Sequence, residues 1–209
     1  FAKGNTMLLR KPCKFIAVIG SRNMSDYAAR VGTRLAHILA DKEYVIVGGL
    51  ATRSDTCGHK GAMETGYTIA VMPCGLDMVV PSENIGLFLQ MIDNGSLAIS
   101  EYPIGHAPTK ASFVERDRLQ AGIADGLIVL ETSEDGGTMH AVRKAAELHR
   151  PIGCLPPDMV EQTGNKLLIE QYDAMPINTQ KDIDAFVRSL PKREHSVKGS
   201  ILVEQSKLF

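Results

Sequence analysis

The chain has 209 residues, of which 44% are hydrophobic and 22% charged; this is enough for one domain with a full core and an ordinary globular composition. A formal net charge of −1 excludes a global basic signature for nucleic acid, although a neutral total can hide a local basic patch. Cys13, Cys57, Cys74 and Cys154 form no CxxC pair, which argues against a zinc ribbon or a redox motif, and no apolar run approaches the ~20 residues that span a bilayer. Three of the cysteines lie in or beside apolar segments and read as buried thiols, so a reducing, cytoplasmic setting is expected. No signal peptide is evident, and a chain that opens on Phe1 is expected to have a trimmed N-terminus.

Residues 1–13 carry Lys3, Arg10 and Lys11 with little periodicity and read as an extended lead-in. The apolar run Phe15 to Ile19 stops at Gly20 and reads as a buried strand. Apolar residues at helical spacing follow: Tyr27, Val31, Leu35, Ile38 and Leu39 predict a helix over 26–41. Tyr44 to Val47 is the next strand, ending at Gly48-Gly49. Asp55 or Thr56 is placed to cap a helix running to Thr65. A strand at Thr68 to Met72, a helix over 82–94 and a strand at Leu97 to Ser100 come next. The Pro/Gly-rich loop Tyr102 to Lys110 leads to a helix over 112–123. Then come a strand at Leu127 to Leu130, a helix over 137–149 and a strand over 151–155. Strands alternating with helices, with short connections, imply a doubly wound α/β domain over 14–190, with a mostly parallel sheet and right-handed crossovers. After Pro156-Pro157 the pattern weakens to short helices at Lys166 to Tyr172 and Thr179 to Leu190, and residues 191–209 read as a flexible tail.

In such sheets ligands bind beyond the carboxyl ends of the strands. Here those ends carry Gly20-Ser21-Arg22, Gly48 to Asp55 with Arg53, Cys74 to Asp77, Ser100 to Pro103, and Glu131 to Thr138. Glycine lets a backbone N–H approach a phosphate, and an arginine adds a two-pronged donor. Several such turns on one rim favour a phosphate-bearing ligand. GxGxxG after the first strand and GxxxxGK[ST] are both absent, which argues against ordinary NAD or ATP use.

Lys110, Phe113, Arg116 and Arg118 form the densest basic and aromatic cluster. An aromatic ring stacks on a base while the cations hold phosphates; the alternative is a core Phe113 with the arginines paired to Glu115 and Asp117. Catalytic candidates are poor. His59, His106, His140 and His149 lack metal-ligand spacing, and His59 reads as a packing histidine. Ser21 and Ser54 have no readable base partner. Glu101 and Glu131 read either as a carboxylate pair or as backbone caps. No metal and no cofactor are expected.

The segments IAVIGSR, GGLATRSDTCGHKGAMETG, TIAVMPCGLDMVVPSEN, AISEYPIG, FVERDRLQAGIADGLIVLE, GGTMHAVRKAAELHRPIGCLPP and GNKLLIE fall in the order found in the DprA/Smf DNA-processing family. The chain resembles that family over about residues 14–175. The resemblance implies an extended Rossmann-like domain that binds single-stranded DNA, forms a homodimer, hands the strand to RecA and is not an enzyme. By position it implies DNA contacts at Gly20, Ser21, Arg22, Arg53, Lys110, Phe113, Arg116, Arg118 and Thr138. FVERDR places Asp117 where the family has Asn. The helical and winged-helix modules of many relatives are not found, so a minimal one-domain form is expected. Two other readings stay open. One is a sensor of a nucleotide ligand on the same rim. The other is a phosphoribohydrolase resembling the LOG proteins, whose GGxGTxxE signature loses its glutamate here because Ala141 follows His140.

Overall fold

The computed structural model describes residues 1–10 and 14–191. Cys13 and the tail from 192 onward therefore lie outside the described residues, and so do the readings that rest on them.

Among the described residues, eight strands form one sheet: β1 (Ala2–Gly4), β2 (Phe15–Ile19), β3 (Val45–Gly48), β4 (Thr68–Val71), β5 (Leu97–Ile99), β6 (Gly126–Val129), β7 (Ile152–Cys154) and β8 (Met175–Pro176). Their spatial order is β1-β5-β4-β3-β2-β6-β7-β8. Every pairing is parallel except β1 with β5. The chain winds outward from β2 through β3, β4 and β5, then returns to lay β6 on the other side of β2. The junction of β2 and β6 is thus the switch point, where connections leave toward opposite faces and open a crevice.

Among the described residues, seven helices cover the sheet: α1 (Asp26–Asp41), α2 (Ser54–Met63), α3 (Ile85–Asp93), α4 (Lys110–Ile123), α5 (Thr138–Glu147), α6 (Gly164–Tyr172) and α7 (Gln180–Ser189). Alternation along β2 decides which strand residue meets which helix, because successive side chains point to opposite faces. Phe15, Ala17 and Ile19 share a core with Ala121 of α4, Met139 and Val142 of α5 and Leu168 of α6. Ile16 and Val18 pack with Leu35 and Leu39 of α1, Ala62 of α2 and Phe186 of α7. Strand residues Ala70 and Ala98 meet Leu87, Phe88 and Met91 of α3. Strands buried on both faces need continuous apolar runs, and Phe15–Ile19 is buried throughout. α1 and α2 approach closely because Gly61 has no side chain: a Cβ there would lie 2.0 Å from the Thr33 carbonyl.

The parallel strands and α1 follow the sequence reading, and the edges add to it. Residues 2–4 of the lead-in form the antiparallel edge strand β1, and Leu8 behind them is fully buried. Met175–Pro176 adds β8 at the other edge. The late helices dock firmly: the α7 residue Phe186 and the following Leu190 are 0% and 3% exposed. The stretch 82–94 splits into a single 3-10 turn (Ser82–Asn84) and α3. The Asn84 side chain donates to the Leu50 and Ala51 carbonyls, which ties that turn to the β3–α2 loop. No helix among the described residues is long and apolar enough to cross a membrane.

Candidate functional site

A cleft of about 410 Å³ opens at the carboxyl ends of β2 and β6. Its walls come from the turn after β2 (Gly20, Ser21, Arg22), from α4 (Phe113, Asp117) and from the start of α5 (Gly137, Thr138).

Each wall is fixed locally. The turn after β2 is clamped to the end of β6, because the Ser21 N–H donates to the Glu131 carbonyl at 2.7 Å. Below it, the fully buried Glu131 carboxylate accepts from the Ser25 N–H and hydroxyl at 2.9 and 2.6 Å and from the Gln162 N–H at 3.2 Å. Glu131 is therefore a structural acceptor and Glu101 pairs elsewhere, so the two form no carboxylate pair. α4 begins at Lys110, two residues earlier than its sequence pattern suggests, because Thr109 and Ser112 form a capping box. Such reciprocal caps satisfy otherwise orphaned backbone donors. This start places Lys110, Phe113 and Asp117 at helical spacings of three, four and seven, on one face of the helix. The ring of Phe113 is half-buried, and the Arg22 guanidinium lies over it at 5.2 Å from the ring centre. Arg22 is exposed, and so is Lys110 one turn before the ring. α5 starts at Thr138 behind Gly137, which offers no side-chain cap; the Met139 and His140 N–H groups donate to the Gly136 and Gly137 carbonyls at 3.0 Å, and the helix dipole favours negative charge at this end.

Arg116, which the resemblance implies at the DNA, is the one buried residue of the nine: its side chain is 5% exposed. Its Nη1 donates to the Val71 carbonyl at 3.2 Å, and its Nε meets Asp117 Oδ1 at 3.1 Å. Gln120, with its amide oxygen turned toward the guanidinium, accepts from Nη1 and Nε at 2.9 and 3.1 Å. The second carboxylate near it, Asp55, sits 4.0 Å from Nη1. The guanidinium occupies the space over Gly49, where a Cβ would fall 1.1 Å from Nη1. A buried charge must be paired and hydrogen-bonded, and Arg116 meets that demand within the protein through Nη1 and Nε. It lies 5.9 Å from the centre of the Phe113 ring and bounds the floor of the cleft.

Arg53 and Arg118 also stand apart. Neither lines the cleft. Arg53, at a φ of 61°, pairs with Asp26 at 2.6 Å. Arg118 pairs with Glu101 at 2.6 Å. Asp55 is not the helix cap expected of it; its carboxylate reaches back to the Gly49 and Ala51 N–H groups at 2.9 and 3.0 Å and shapes the β3–α2 loop. His59 is a packing histidine: it is fully buried, its Nδ1 lies 2.7 Å from the Thr68 hydroxyl, and burial pushes its pKa down to about 4. Burial, opposed by Arg116, pushes the Asp117 carboxyl up to about 6.

Of the nine residues expected at the site, the structure gathers Gly20, Ser21, Arg22, Phe113, Arg116 and Thr138 at the cleft, and Lys110 is exposed one turn before Phe113 on α4. It buries Arg116 and diverts Arg53 and Arg118 to ion pairs. Sequence reasoning missed Thr132 and Gln120 as lining residues and weighed His140 only as a metal ligand. The helical repeat from Phe113 to Asp117 and Gln120 was a signal that could have found Gln120. No group of His, Cys, Asp and Glu among the described residues is arranged to hold a metal ion.

A family model described as DNA recombination-mediator protein A matches residues 1–188. The DNA processing protein DprA of Streptococcus pneumoniae is 35% identical over 84% of this chain and 64% of its own. Protein Smf of Synechocystis is 30% identical over 90% of this chain and 47% of its own. The chain thus spans from about half to just under two thirds of these curated relatives. Among solved structures, DNA processing protein A from Helicobacter pylori, studied for its single-stranded DNA binding mode, superposes with a TM-score of 0.82 at 31% identity, covering 91% of this chain and 87% of that one. A molybdenum cofactor binding protein from Rippkaea orientalis, at 16% identity and a TM-score of 0.63, shares the fold alone. With a family model spanning nearly all of the described residues and relatives at this identity, the chain belongs to the DNA recombination-mediator protein A family, the DprA/Smf DNA-processing proteins.

Proposed function

We propose that the cleft binds single-stranded DNA without catalysis, with Arg22 and Lys110 on phosphates and Phe113 against a base. The observation that carries this reading is the pairing of an exposed guanidinium with an aromatic ring at 5.2 Å, beside an exposed lysine on the same helix face. Stacking a base on such a ring is sequence-tolerant and contributes about 1–3 kcal/mol per base. The uncapped start of α5 at Thr138 supplies a further place for a phosphate. The structure of the Helicobacter pylori relative, which concerns single-stranded DNA binding, supports the same ligand.

Two cations at the rim stand beside two acidic groups, Asp55 and Asp117, deeper in the cleft. The polynucleotide therefore keeps its phosphates at the rim and turns its bases inward. An enzymatic reading has less support: Ala141 lines the cleft where the LOG-like signature needs a glutamate, and Asp55 is engaged by two backbone N–H groups. We further infer that the protein works in the cytoplasm as a homodimer and passes its strand to a RecA-type recombinase, as the family resemblance implies. The test is a titration of fluorescent oligo-dT with the native protein and with the double variant Arg22→Ala, Lys110→Ala. Loss of at least tenfold in affinity is expected; equal affinities would overturn the assignment.

A further inference from the structure

Asp117 is the polar group of the cleft that the binding of phosphates does not explain. It follows Phe113 by four residues on α4, so the two side chains lie one above the other on a single face. Both line the cleft. The neighbouring polar groups are already occupied. Asp55 accepts from the Gly49 and Ala51 N–H groups, and Gln120 accepts from Arg116. Asp117 gives one oxygen, Oδ1, to the Arg116 Nε at 3.1 Å. An ionised carboxylate has about four acceptor sites on its two oxygens. Among the described residues, the Arg116 contact is the hydrogen-bonding partner the structure gives it. Acceptor capacity therefore remains beside the stacking ring, on a half-buried side chain. Burial, joined by the nearby Asp55 charge, raises its carboxyl against the pull of Arg116 and Arg22.

A base laid against Phe113 brings its edge toward the next turn of α4, where this carboxylate stands. The four bases differ in what they offer there. Guanine presents two adjacent N–H donors, at N1 and N2. Adenine and cytosine present one amino group beside a ring acceptor. Thymine presents one N–H flanked by two carbonyl oxygens, which repel a carboxylate. We propose that Asp117 reads the base edge and makes this cleft prefer guanine over thymine. The inference rests on the reading of the cleft as a single-stranded DNA site, and it adds a specificity that neither stacking nor phosphate contact supplies. Matched donor and acceptor pairs at a base edge give discrimination of roughly five- to a hundredfold.

The experiment is a competition titration at pH 7.5 with single-stranded 12-mers of dT alone, alternating dT and dG, and alternating dT and dC. Single guanines between thymines avoid four-stranded assemblies. The native protein is expected to bind the guanine-containing strand about tenfold more tightly than dT, with the cytosine-containing strand between them. In Asp117→Asn that ratio should fall close to one. Because the ratio is taken within one preparation, partial loss of folded protein does not alter it. Equal binding of all three strands by the native protein overturns the inference and leaves the site itself standing. A guanine preference that survives Asp117→Asn also overturns it, since stacking strength alone then accounts for the preference. If none of the strands binds, the single-stranded DNA reading falls, and this inference falls with it.

Discussion

Two arginines flank the same phenylalanine, and they differ in almost everything else. Arg22, on the rim, is exposed and lies 5.2 Å from the Phe113 ring centre. Arg116, on the floor, is 5.9 Å from it and 5% exposed, with its Nη1 and Nε donors engaged by Val71, Asp117 and Gln120. One is available to a ligand and contributes little to the fold. The other holds α4 against the β3–α2 loop through its Nη1 and Nε groups. A cation's place in a binding cluster is thus decided by who has already claimed its N–H groups, which its position in a motif does not reveal.

The comparison breaks most visibly in stability. Arg116→Ala leaves Asp117 and Asp55 buried without their shared cation, and removing one partner of a buried ion pair costs about 3–5 kcal/mol. Urea denaturation should show that loss, and Gly49→Val should reproduce much of it by displacing the guanidinium. A cost below about 1 kcal/mol for Arg116→Ala would mean that the floor is not built on this residue.

A smaller effect with a distinct pH signature concerns Asp117. Its carboxyl is raised in the folded protein to about 6 from an ordinary value of 3.8. The native state therefore binds more protons than the unfolded state between those values, and the stability that Asp117 contributes declines as pH rises through that window. At pH 7 the ionised side chain is a net cost of roughly 3 kcal/mol, given about 1.4 kcal/mol per unit. Asp117→Asn should raise the denaturation midpoint at pH 7, and the gain should shrink toward nothing near pH 4. A gain that does not vary with pH would contradict this account. The smallest effect belongs to the rim: Arg22→Ala should change stability by less than about 0.5 kcal/mol, as for most surface substitutions.

Much of this molecule can be read from its residues, for reasons that also explain the omissions. Phe15–Ile19 announces a strand covered on both faces because every side chain in it is apolar. Tyr27 and the repeat through Leu35 and Leu39 announce α1. β1 and β8 leave no such trace: Ala2–Gly4 and Met175–Pro176 are short edges held by backbone pairing, with no buried face to impose a pattern. The cleft is legible in outline, since the turn after β2 and the aromatic on α4 both stand out. The burial of Arg116 is not legible, because its partners Val71, Asp55 and the bare Gly49 are distant in sequence and meet it only once the sheet is wound. The same holds for Arg118, whose claim by Glu101 depends on where β5 ends.

The central claim is that the rim cation, Arg22, meets phosphate. Its most direct test is the salt dependence of oligo-dT binding by the native protein and by Arg22→Ala. Each phosphate contact to a single strand contributes about 0.7 to the slope of log affinity against log salt. The account predicts that the variant's slope is shallower by about that amount. Parallel slopes for the two proteins would contradict it.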